Sequence, residues 1–408
     1  MASQQDSGIN RLRAKLKSHK FANQYHSAAA SRPQFPYQPL QNDAPSIRLF
    51  KLHDSNTDGS IQGSLRTTKD IGDYTAISYV WGAWGSQRTP PILINGVPFF
   101  VRPNLHTLLA ELSRRKCKVE LWIDAICINQ GDVQERNQQV SMMADVYQKA
   151  DRVFYWLGEG DLNTRTALRY FLDDSQEQVE SPRVYYSSTD THDFDKLLKE
   201  ISKKRNELCI SQGLHAIAAM DFWRRSWIVQ EVLTSGDKGK LLLGPLTVSW
   251  SWFMGLYKNI QNFVVFNRPK DIPRGLSAHI GSSYLFNFLT ASGCLGIDGL
   301  LSLSDVLAYF GRTQCSDIRD RIYAFRAITM TSCQVPVNYD LSPAALFCEV
   351  IRHSYETTFI GDRIHLLCRA LEVTKADVCH SSNWSNMDPN LQSMILRGLE
   401  HYQKFPGG

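Results

Sequence analysis

The sequence has no regular cysteine pattern. Its nine cysteines are odd in number and include no CxxC pair. Evenly spaced or paired cysteines are typical of disulfide frameworks and zinc sites, so their absence excludes both and indicates free thiols in a reducing compartment. His353 and Glu356 lie three residues apart on a predicted helix. Two ligands are too few for a structural metal site, and we assign no metal.

Other absences exclude further classes. No GxGxxG fingerprint is present, which argues against a hydride-transferring dehydrogenase. No repeat of fixed period and no NTPase, ankyrin or WD segment is recognisable, which excludes a large multidomain receptor for this polypeptide. The most apolar long stretch, 241–256, is interrupted by Gly244 and Pro245, and there is no secretory signal. We therefore expect a soluble, cytoplasmic protein with no membrane span.

The positive charge is confined to the amino-terminal end. Residues 1–32 carry six basic residues and one acidic residue, which accounts for the whole net charge of +5. The remainder is close to neutral, so we expect no nucleic-acid partner. Composition divides the chain into a disordered, basic and proline-containing arm (1–45), an α/β domain (46–250) and a mostly helical extension packed on it (251–408).

The stretch Leu121–Gly158 predicts a strand, a helix and a second strand. Both apolar runs are rich in β-branched and aromatic residues without alternation, which is typical of parallel strands buried on both faces. Asp132 is placed as the helix N-cap, with Glu135 completing a capping box. The predicted inner face of the helix contains Val133, Val140, Met143, Tyr147 and Ala150. The predicted fold class is an α/β parallel sheet flanked by helices, with added hairpins.

One charged residue, Arg136, falls on that apolar face. A buried unpaired charge is costly, so Arg136 needs either an internal ion pair, for which Asp124 is a candidate, or an anion bound beside a cleft. Ligands of open parallel sheets bind outside the carboxyl ends of the strands. The side chains expected at that edge are Asp124, Cys127, Asn129 and Gln130.

The segment Asp221–Val232 predicts a helix with Asp221 as its N-cap. Trp223, Trp227 and Glu231 are spaced four apart and would share a face. A carboxylate against an indole is partly desolvated, which raises its pKa and suits a group that stabilises a cation or moves a proton. The structural alternative is that the tryptophans are core residues and Glu231 pairs with Arg224 or Arg225.

Four ordered motifs resemble those of the fungal heterokaryon-incompatibility (HET) domain. They are YTAISYVWG (74–82), LWIDAICINQGDVQER (121–136), MADVYQKADRVFYWLG (143–158) and FWRRSWIVQEV (222–232). CSDIRDRIYAF (315–325) and VNYDLSPAALF (337–347) are similar to downstream blocks of full-length members. The resemblance implies a fungal protein of non-self recognition and cell death, with a TIR- or flavodoxin-like sheet.

TIR domains carry a Trp-x-x-x-Glu element whose glutamate is required for cleaving NAD, and Trp227 to Glu231 are similar to it. The implied activity is that of an NAD hydrolase (NAD glycohydrolase), with NAD as substrate and no cofactor. Glu231 and Asp124 would be the catalytic carboxylates. The substrate-binding residues would be Trp81, Gly82, Cys127, Asn129, Gln130, Arg136 and Trp227. The expected partners are a nucleotide or organic small molecule, further copies of this chain, or other incompatibility proteins.

Two other functions stay open: a noncatalytic interaction module, and a stand-alone enzyme of secondary metabolism acting on a small organic substrate. An apolar cleft with few anion-binding groups would favour the stand-alone enzyme. A salt-bridged Glu231 without a cavity would favour the noncatalytic interaction module. Cys127 is interpreted as a buried thiol in preference to a nucleophile. The charged residues Arg312, Asp317, Arg319, Asp320 and Arg321 are interpreted as an internal salt-bridge cluster in preference to a site.

Overall fold

The computed structural model describes residues 35–40, 45–54, 60–69, 72–83, 89–172, 207–266, 283–294, 300–330, 335–354 and 363–404. Most of the predicted arm lies outside these residues. The sequence also predicts an exposed polar insertion at 175–195 and a helix at 194–208, and the insertion and most of that helix lie outside the described residues as well. Residues 35–40 of that arm lie against the body, where Leu40 is buried and the Tyr37 hydroxyl donates to the Ile126 carbonyl.

A nine-stranded mixed sheet forms the centre of the described chain. Its strands are β1 (Ile47–Leu52), β2 (Gln62–Thr68), β3 (Tyr74–Tyr79), β4 (Ile92–Ile94), β5 (Val97–Phe99), β6 (Glu120–Trp122), β7 (Arg152–Trp156), β8 (Gly239–Leu243) and β9 (Leu246–Ser249). Their order is β5-β4-β2-β1-β6-β3-β7-β8-β9. The hairpins that the sequence predicts around Asn95-Gly96 and Gly244-Pro245 are present as β4–β5 and β8–β9. Strand β2 is one that the sequence pattern does not predict.

Strands β6, β3, β7 and β8 run parallel to one another. The other neighbouring pairs are antiparallel, except that β2 is parallel to β4. Numbered along the chain, the parallel core reads 2-1-3-4, the order of doubly wound flavodoxin-like sheets. All six residues of β3 are buried, as expected for a strand covered on both faces. The chain passes from β3 to β6 on one side and then returns to β7 on the other. This reversal at β3 leaves room for a crevice at the carboxyl ends.

The helices are distributed around the sheet and dominate the carboxyl-terminal third. They are α1 (Pro103–Arg114), α2 (Asp124–Cys127), α3 (Val133–Lys149), α4 (Leu162–Phe171), α5 (Glu207–Ala218), α6 (Ser226–Leu233), α7 (Trp250–Phe266), α8 (Tyr284–Cys294), α9 (Leu303–Phe310), α10 (Asp320–Tyr323), α11 (Pro343–Ser354), α12 (Ile364–Leu371), α13 (Lys375–Cys379) and α14 (Pro389–Lys404). Short 3₁₀ turns span Asp221–Arg224, Gly236–Lys238 and Arg326–Ile328. Within the described ranges, no helix is both long and apolar enough to cross a membrane.

The predicted strand–helix–strand unit is present as β6, α3 and β7, with β3 between the two strands in the sheet. Two details of the helix differ from the prediction. First, Val133 is 49% exposed, and the helix buries Glu135 and Gln139 instead. Second, Asp132 does cap α3 by accepting from the Glu135 amide at 3.0 Å, but the Glu135 carboxylate completes no capping box.

The Glu135 carboxylate is held by groups distant in sequence. Arg48 of β1 donates to both of its oxygens, at 2.6 and 2.8 Å, and the Asn129 amide donates at 2.6 Å. Arg48 also donates to the carbonyls of Cys127 and Gln38. This buried ion pair therefore joins β1, the start of α3, the segment 35–40 and the loop after β6.

The predicted single helix at 221–232 is wrong. A 3₁₀ turn ends at Arg224, Arg225 is extended, and α6 begins at Ser226 without a side-chain cap. Trp223 therefore leaves the face of Trp227 and enters the core, stacked on Phe253 at 5.7 Å between centroids and packed edge-on against Phe288 at 5.8 Å.

The break at Arg225 also lets the backbone pair with a distant segment. Arg225 forms an isolated parallel bridge with Gln314, in which the Ser226 amide donates to the Gln314 carbonyl at 3.1 Å. The Ser226 and Thr313 hydroxyls are hydrogen-bonded at 2.8 Å. Residues 313–314 of the helical part are thus tied to the start of α6.

Candidate functional site

A cavity of about 450 Å³ lies at the carboxyl ends of β3 and β6. Its lining residues come from the segments that follow those strands, from α3 and the start of α6, and from the helical part. The contribution of the helical part, Gln314, Cys315, Ser316, Asp317, Asp320 and Tyr339, is called the far wall below. The lining residues are Val80, Trp81, Gly82, Arg102, Asp124, Ile128, Gln130, Arg136, Val140, Met143, Asp221, Arg225, Trp227, Gln314, Cys315, Ser316, Asp317, Asp320 and Tyr339. This cavity is called the cleft below.

Asp124 is the carboxylate on the floor of the cleft. It is partly exposed and lies two residues after the end of β6, at the start of α2. The Trp81 indole donates to its Oδ2 at 2.7 Å, and the Ala125 amide donates to Oδ1 at 2.7 Å. Desolvation raises the pKa of Asp124, while Arg225 and these donors oppose the rise. Asp124 is therefore a fixed carboxylate in a poorly solvated position.

Gly82 turns the chain out of β3 beside this carboxylate. Its backbone φ is +67°, a conformation that residues other than glycine rarely adopt. The Arg102 guanidinium donates to the Gly82 carbonyl at 2.5 Å and lies 5.1 Å from the centroid of the Trp81 ring. The turn thus places an indole and a guanidinium at the same end of the cleft.

Three arginines face the cleft. Arg225 donates to the Tyr79 carbonyl at 2.8 Å, and its charge lowers the pKa of Asp124. Arg136 forms no hydrogen bond or ion pair with any described residue; its Nε is buried and unpaired, and its guanidinium lies 5.3 Å from the Tyr339 ring centroid. The Arg136–Asp124 ion pair, one of the two predicted alternatives, is therefore not formed, and the Arg136 charge helps to lower the pKa of Asp317 in the same cleft.

The far wall carries a second group of polar residues. Asp320 is 8% exposed and accepts from the Tyr339 hydroxyl at 2.5 Å. Desolvation raises its pKa to about 6, opposed by hydrogen bonds from Tyr339 and Trp227. Asp317 is paired with Arg319 through contacts of 2.8 and 2.6 Å, which holds the pKa of Asp317 low.

Glu231 lies behind the cleft and is not among its lining residues. It is 4% exposed, accepts a hydrogen bond from the Ser78 hydroxyl, and is within hydrogen-bonding reach of the Tyr147 hydroxyl. Desolvation raises its pKa to about 7, with a further contribution from Asp124. The alternative in which Glu231 pairs with Arg224 or Arg225 is wrong, since Arg224 pairs with Asp221 and Arg225 with the Tyr79 carbonyl.

The cleft brings together six of the residues singled out in the sequence: Trp81, Gly82, Asp124, Gln130, Arg136 and Trp227. Three others lie elsewhere. Glu231 is buried behind it, the Asn129 side chain accepts from the Gly131 amide, and Cys127 is fully buried with burial raising its thiol pKa to about 12. A buried neutral thiol supports the interpretation of Cys127 as a core residue.

Sequence reasoning missed Arg102, Arg225 and the whole far wall. The sequence analysis assigns Asp317 and Asp320 to an internal salt-bridge cluster. Asp317 does form an ion pair with Arg319, whereas Asp320 and Tyr339 line the cleft. Arg321 turns away to pair with Glu372. The charged segment CSDIRDR (315–321) could have suggested a site, but the sequence around it does not show which of its side chains faces a cleft.

Fold and cleft define an α/β domain with a polar, arginine-bearing cleft at the carboxyl ends of its parallel strands. Residues 74–231 match the family model described as Heterokaryon incompatibility protein (HET).

A similar protein is heterokaryon incompatibility protein 6, OR allele, of Neurospora crassa. It is 26% identical over 234 residues, covering 50% of this chain and 34% of the relative. The match thus spans about a third of the relative's length. No solved structure matches the chain.

Proposed function

We propose that this chain is a fungal non-self recognition protein whose HET domain binds a nucleotide in the cleft and cleaves the N-glycosidic bond of NAD. The family match and the name of the Neurospora relative support the biological class. The observation that carries the biochemical proposal is the combination, within one cleft, of Asp124 with three arginines and two indoles. Arginines suit a pyrophosphate, indoles suit nicotinamide or adenine, and a carboxylate suits a cationic ribose.

In the proposed reaction the bond between ribose C1′ and the nicotinamide nitrogen breaks, and its electron pair neutralises the pyridinium. The ribose becomes oxocarbenium-like, a water oxygen bonds to C1′, and the water gives up a proton. Asp124 is the carboxylate placed to stabilise the cation, because it is fixed by Trp81 and faces the cleft. Arg136, with its unpaired Nε, is the first candidate to hold the pyrophosphate.

In this proposal Glu231 does not touch the substrate and acts through Asp124. It is buried against Ser78 and interacts electrostatically with Asp124, so its ionisation changes the charge that Asp124 experiences. The Trp227-to-Glu231 spacing still supports the TIR-like part of the proposal, but in this arrangement Trp227 faces the ligand and Glu231 acts from behind the sheet edge.

Nicotinamide release from NAD tests the proposal. Wild type, Asp124→Asn and Glu231→Gln are assayed over a range of protein concentrations, because assembly of several copies is part of the proposed class. We expect turnover by the wild type, loss of at least about 100-fold in Asp124→Asn, and a smaller loss with a shifted pH profile in Glu231→Gln. Asp237→Asn, which changes an exposed carboxylate outside the cleft, is the matched control and should retain activity.

Absence of turnover by folded wild type at every concentration would overturn NAD cleavage. The burial of Glu231 away from the cleft favours a second candidate, a noncatalytic module in which ligand binding alone is the signal. That candidate predicts nucleotide binding without nicotinamide release. The three cleft arginines weigh against an enzyme for an apolar organic substrate.

A further inference from the structure

The far wall of the cleft lies outside the part of the chain that matches the HET model. Asp320 and Tyr339 follow residue 231, the last matched position, by about 90 residues or more. Trp227 connects them to the matched domain: the Tyr339 hydroxyl donates to the Asp320 carboxylate at 2.5 Å, and the Trp227 indole acts on the same carboxylate as a hydrogen-bonding group that lowers its pKa. The cleft is therefore a composite of two regions of sequence.

Asp320 has acceptor capacity left for a ligand. A carboxylate offers about four lone-pair positions, and the described donors occupy two of them. The neighbouring charged residues do not occupy the remaining lone-pair positions of Asp320. Asp317 is also a carboxylate and cannot donate to it, and Arg319 donates to Asp317 and to the carbonyls of Tyr339 and Leu341. With its pKa near 6, Asp320 is mainly ionised at neutral pH and can only accept.

The anion-binding group and this acceptor are adjacent. The Arg136 guanidinium lies 5.3 Å from the Tyr339 ring centroid, and the hydroxyl of the same ring donates to Asp320. A phosphate at Arg136 and a hydroxyl group at Asp320 would thus be separated by about the width of one phenol. In a nucleotide, phosphate and ribose hydroxyls are neighbours at that scale, and the Trp227 indole provides a flat apolar surface beside them.

We propose that Asp320 binds the ribose hydroxyls of the ligand, so that phosphate is recognised at Arg136 and sugar at the far wall. The inference rests on the nucleotide-binding role proposed above, but not on cleavage of NAD. It assigns to Asp320, held by Tyr339, the selection of a ribose-containing ligand over one that carries only the phosphate and the base.

The test compares AMP with 2′,3′-dideoxy-AMP, which differ only in the ribose hydroxyls. Binding to the full 408-residue chain is measured by calorimetry for wild type, Asp320→Asn, Tyr339→Phe, Arg136→Gln and Asp237→Asn, the last an exposed carboxylate outside the cleft. We expect wild type and Asp237→Asn to prefer AMP by roughly tenfold, as for loss of a hydrogen bond to a charged group. Asp320→Asn should reduce the preference below about threefold, and Arg136→Gln should weaken both ligands equally.

Tyr339→Phe leaves the carboxylate in place and removes only the hydroxyl that orients it. It should lower the preference without abolishing binding, and it keeps the test informative if Asp320→Asn fails to fold. An unchanged preference in both variants, equal binding of the two ligands by wild type, or no binding of AMP would each overturn the sugar site. Nicotinamide release is a separate readout, so failure of NAD cleavage with a retained preference, or the reverse, distinguishes the two proposals.

Discussion

At the scale of the residue, Glu231 is a carboxyl group separated from water and, among the described residues, from any ion pair. Its pKa is raised to about 7, against about 4.3 for glutamate in an unfolded chain. The native state therefore binds this proton more tightly than the unfolded state does. Stability from this group is fully present below about pH 4.3 and is lost as the pH rises through about 7.

Glu231→Gln should accordingly be more stable than wild type at pH 8, by up to about 4 kcal/mol for this pKa difference. At pH 5 the native carboxyl is still protonated, and the difference between the two proteins should fall to about 1 kcal/mol. Urea unfolding at the two pH values measures the effect. Asp320 titrates in the same direction but remains in both proteins, so its contribution cancels in the comparison. Asp124 interacts electrostatically with Glu231, so the difference between the two proteins measures Glu231 together with its coupling to Asp124.

Glu120→Gln is a control of opposite sign, because Arg66 lowers the pKa of Glu120 and its contribution changes only at acidic pH. If wild type and Glu231→Gln changed in parallel between pH 5 and 8, the raised pKa of Glu231 would be contradicted.

Individual site residues were predictable where local sequence determines their position. Asp124 follows an apolar strand and Trp81 follows another, so both could be assigned to the same sheet edge. Glu231 could be recognised as a desolvated carboxylate from its spacing to Trp227. What spacing could not give is the direction of each side chain on α6: Trp227 faces the cleft, whereas Glu231 faces β3 and α3.

At the scale of the element, the buried pair Arg48–Glu135 connects β1 to α3 and is 2% and 8% exposed. Removing one partner leaves the other charge buried and unpaired, so Arg48→Met or Glu135→Met alone should cost about 3–5 kcal/mol. The double variant Arg48→Met/Glu135→Met should cost less than either single change, because no uncompensated charge remains.

Chemical denaturation of the four proteins measures these differences. Arg66→Met, which disrupts a mostly exposed pair with Glu120, should change stability little. Additive losses in the Arg48 and Glu135 variants would show that the two charges do not act as a pair.

The same pair explains why some elements were predicted incorrectly. Glu135 at the third helical position satisfied the capping-box pattern, but an arginine far away in sequence takes its carboxylate. Gln139 is buried because its amide donates to the Ser46 carbonyl at 2.9 Å, so the inner face of α3 carries polar residues. Strand β2, QGSLRTT, has a single large apolar residue and is stabilised by pairing with β1 and β4. Its strand conformation depends on neighbours that no local pattern reveals.

At the scale of the whole molecule, the α/β domain and the helical part share one core. Trp223 packs against Trp250, Phe253 and Phe288. The Arg225–Gln314 bridge joins their backbones.

A fragment of residues 46–250 should therefore lack native packing. Cutting after Trp250 removes Phe253 and Phe288 from Trp223 and leaves the start of α6 without its partner at residues 313–314. We expect weak near-ultraviolet circular dichroism, binding of a hydrophobic dye and a non-cooperative thermal transition. The full chain is the control. A sharp transition with native-like aromatic signals in the fragment would show that the domain folds alone.

The composite cleft has a consequence during protein synthesis. A ribosome releases the strands, Asp124 and Arg136 well before it reaches Asp320 and Tyr339. A partly translated chain thus exposes one wall of the cleft without the other, and the binding site is completed only after about residue 340 has emerged. For a protein whose proposed activity would deplete a common metabolite, this order delays that activity until most of the chain is made.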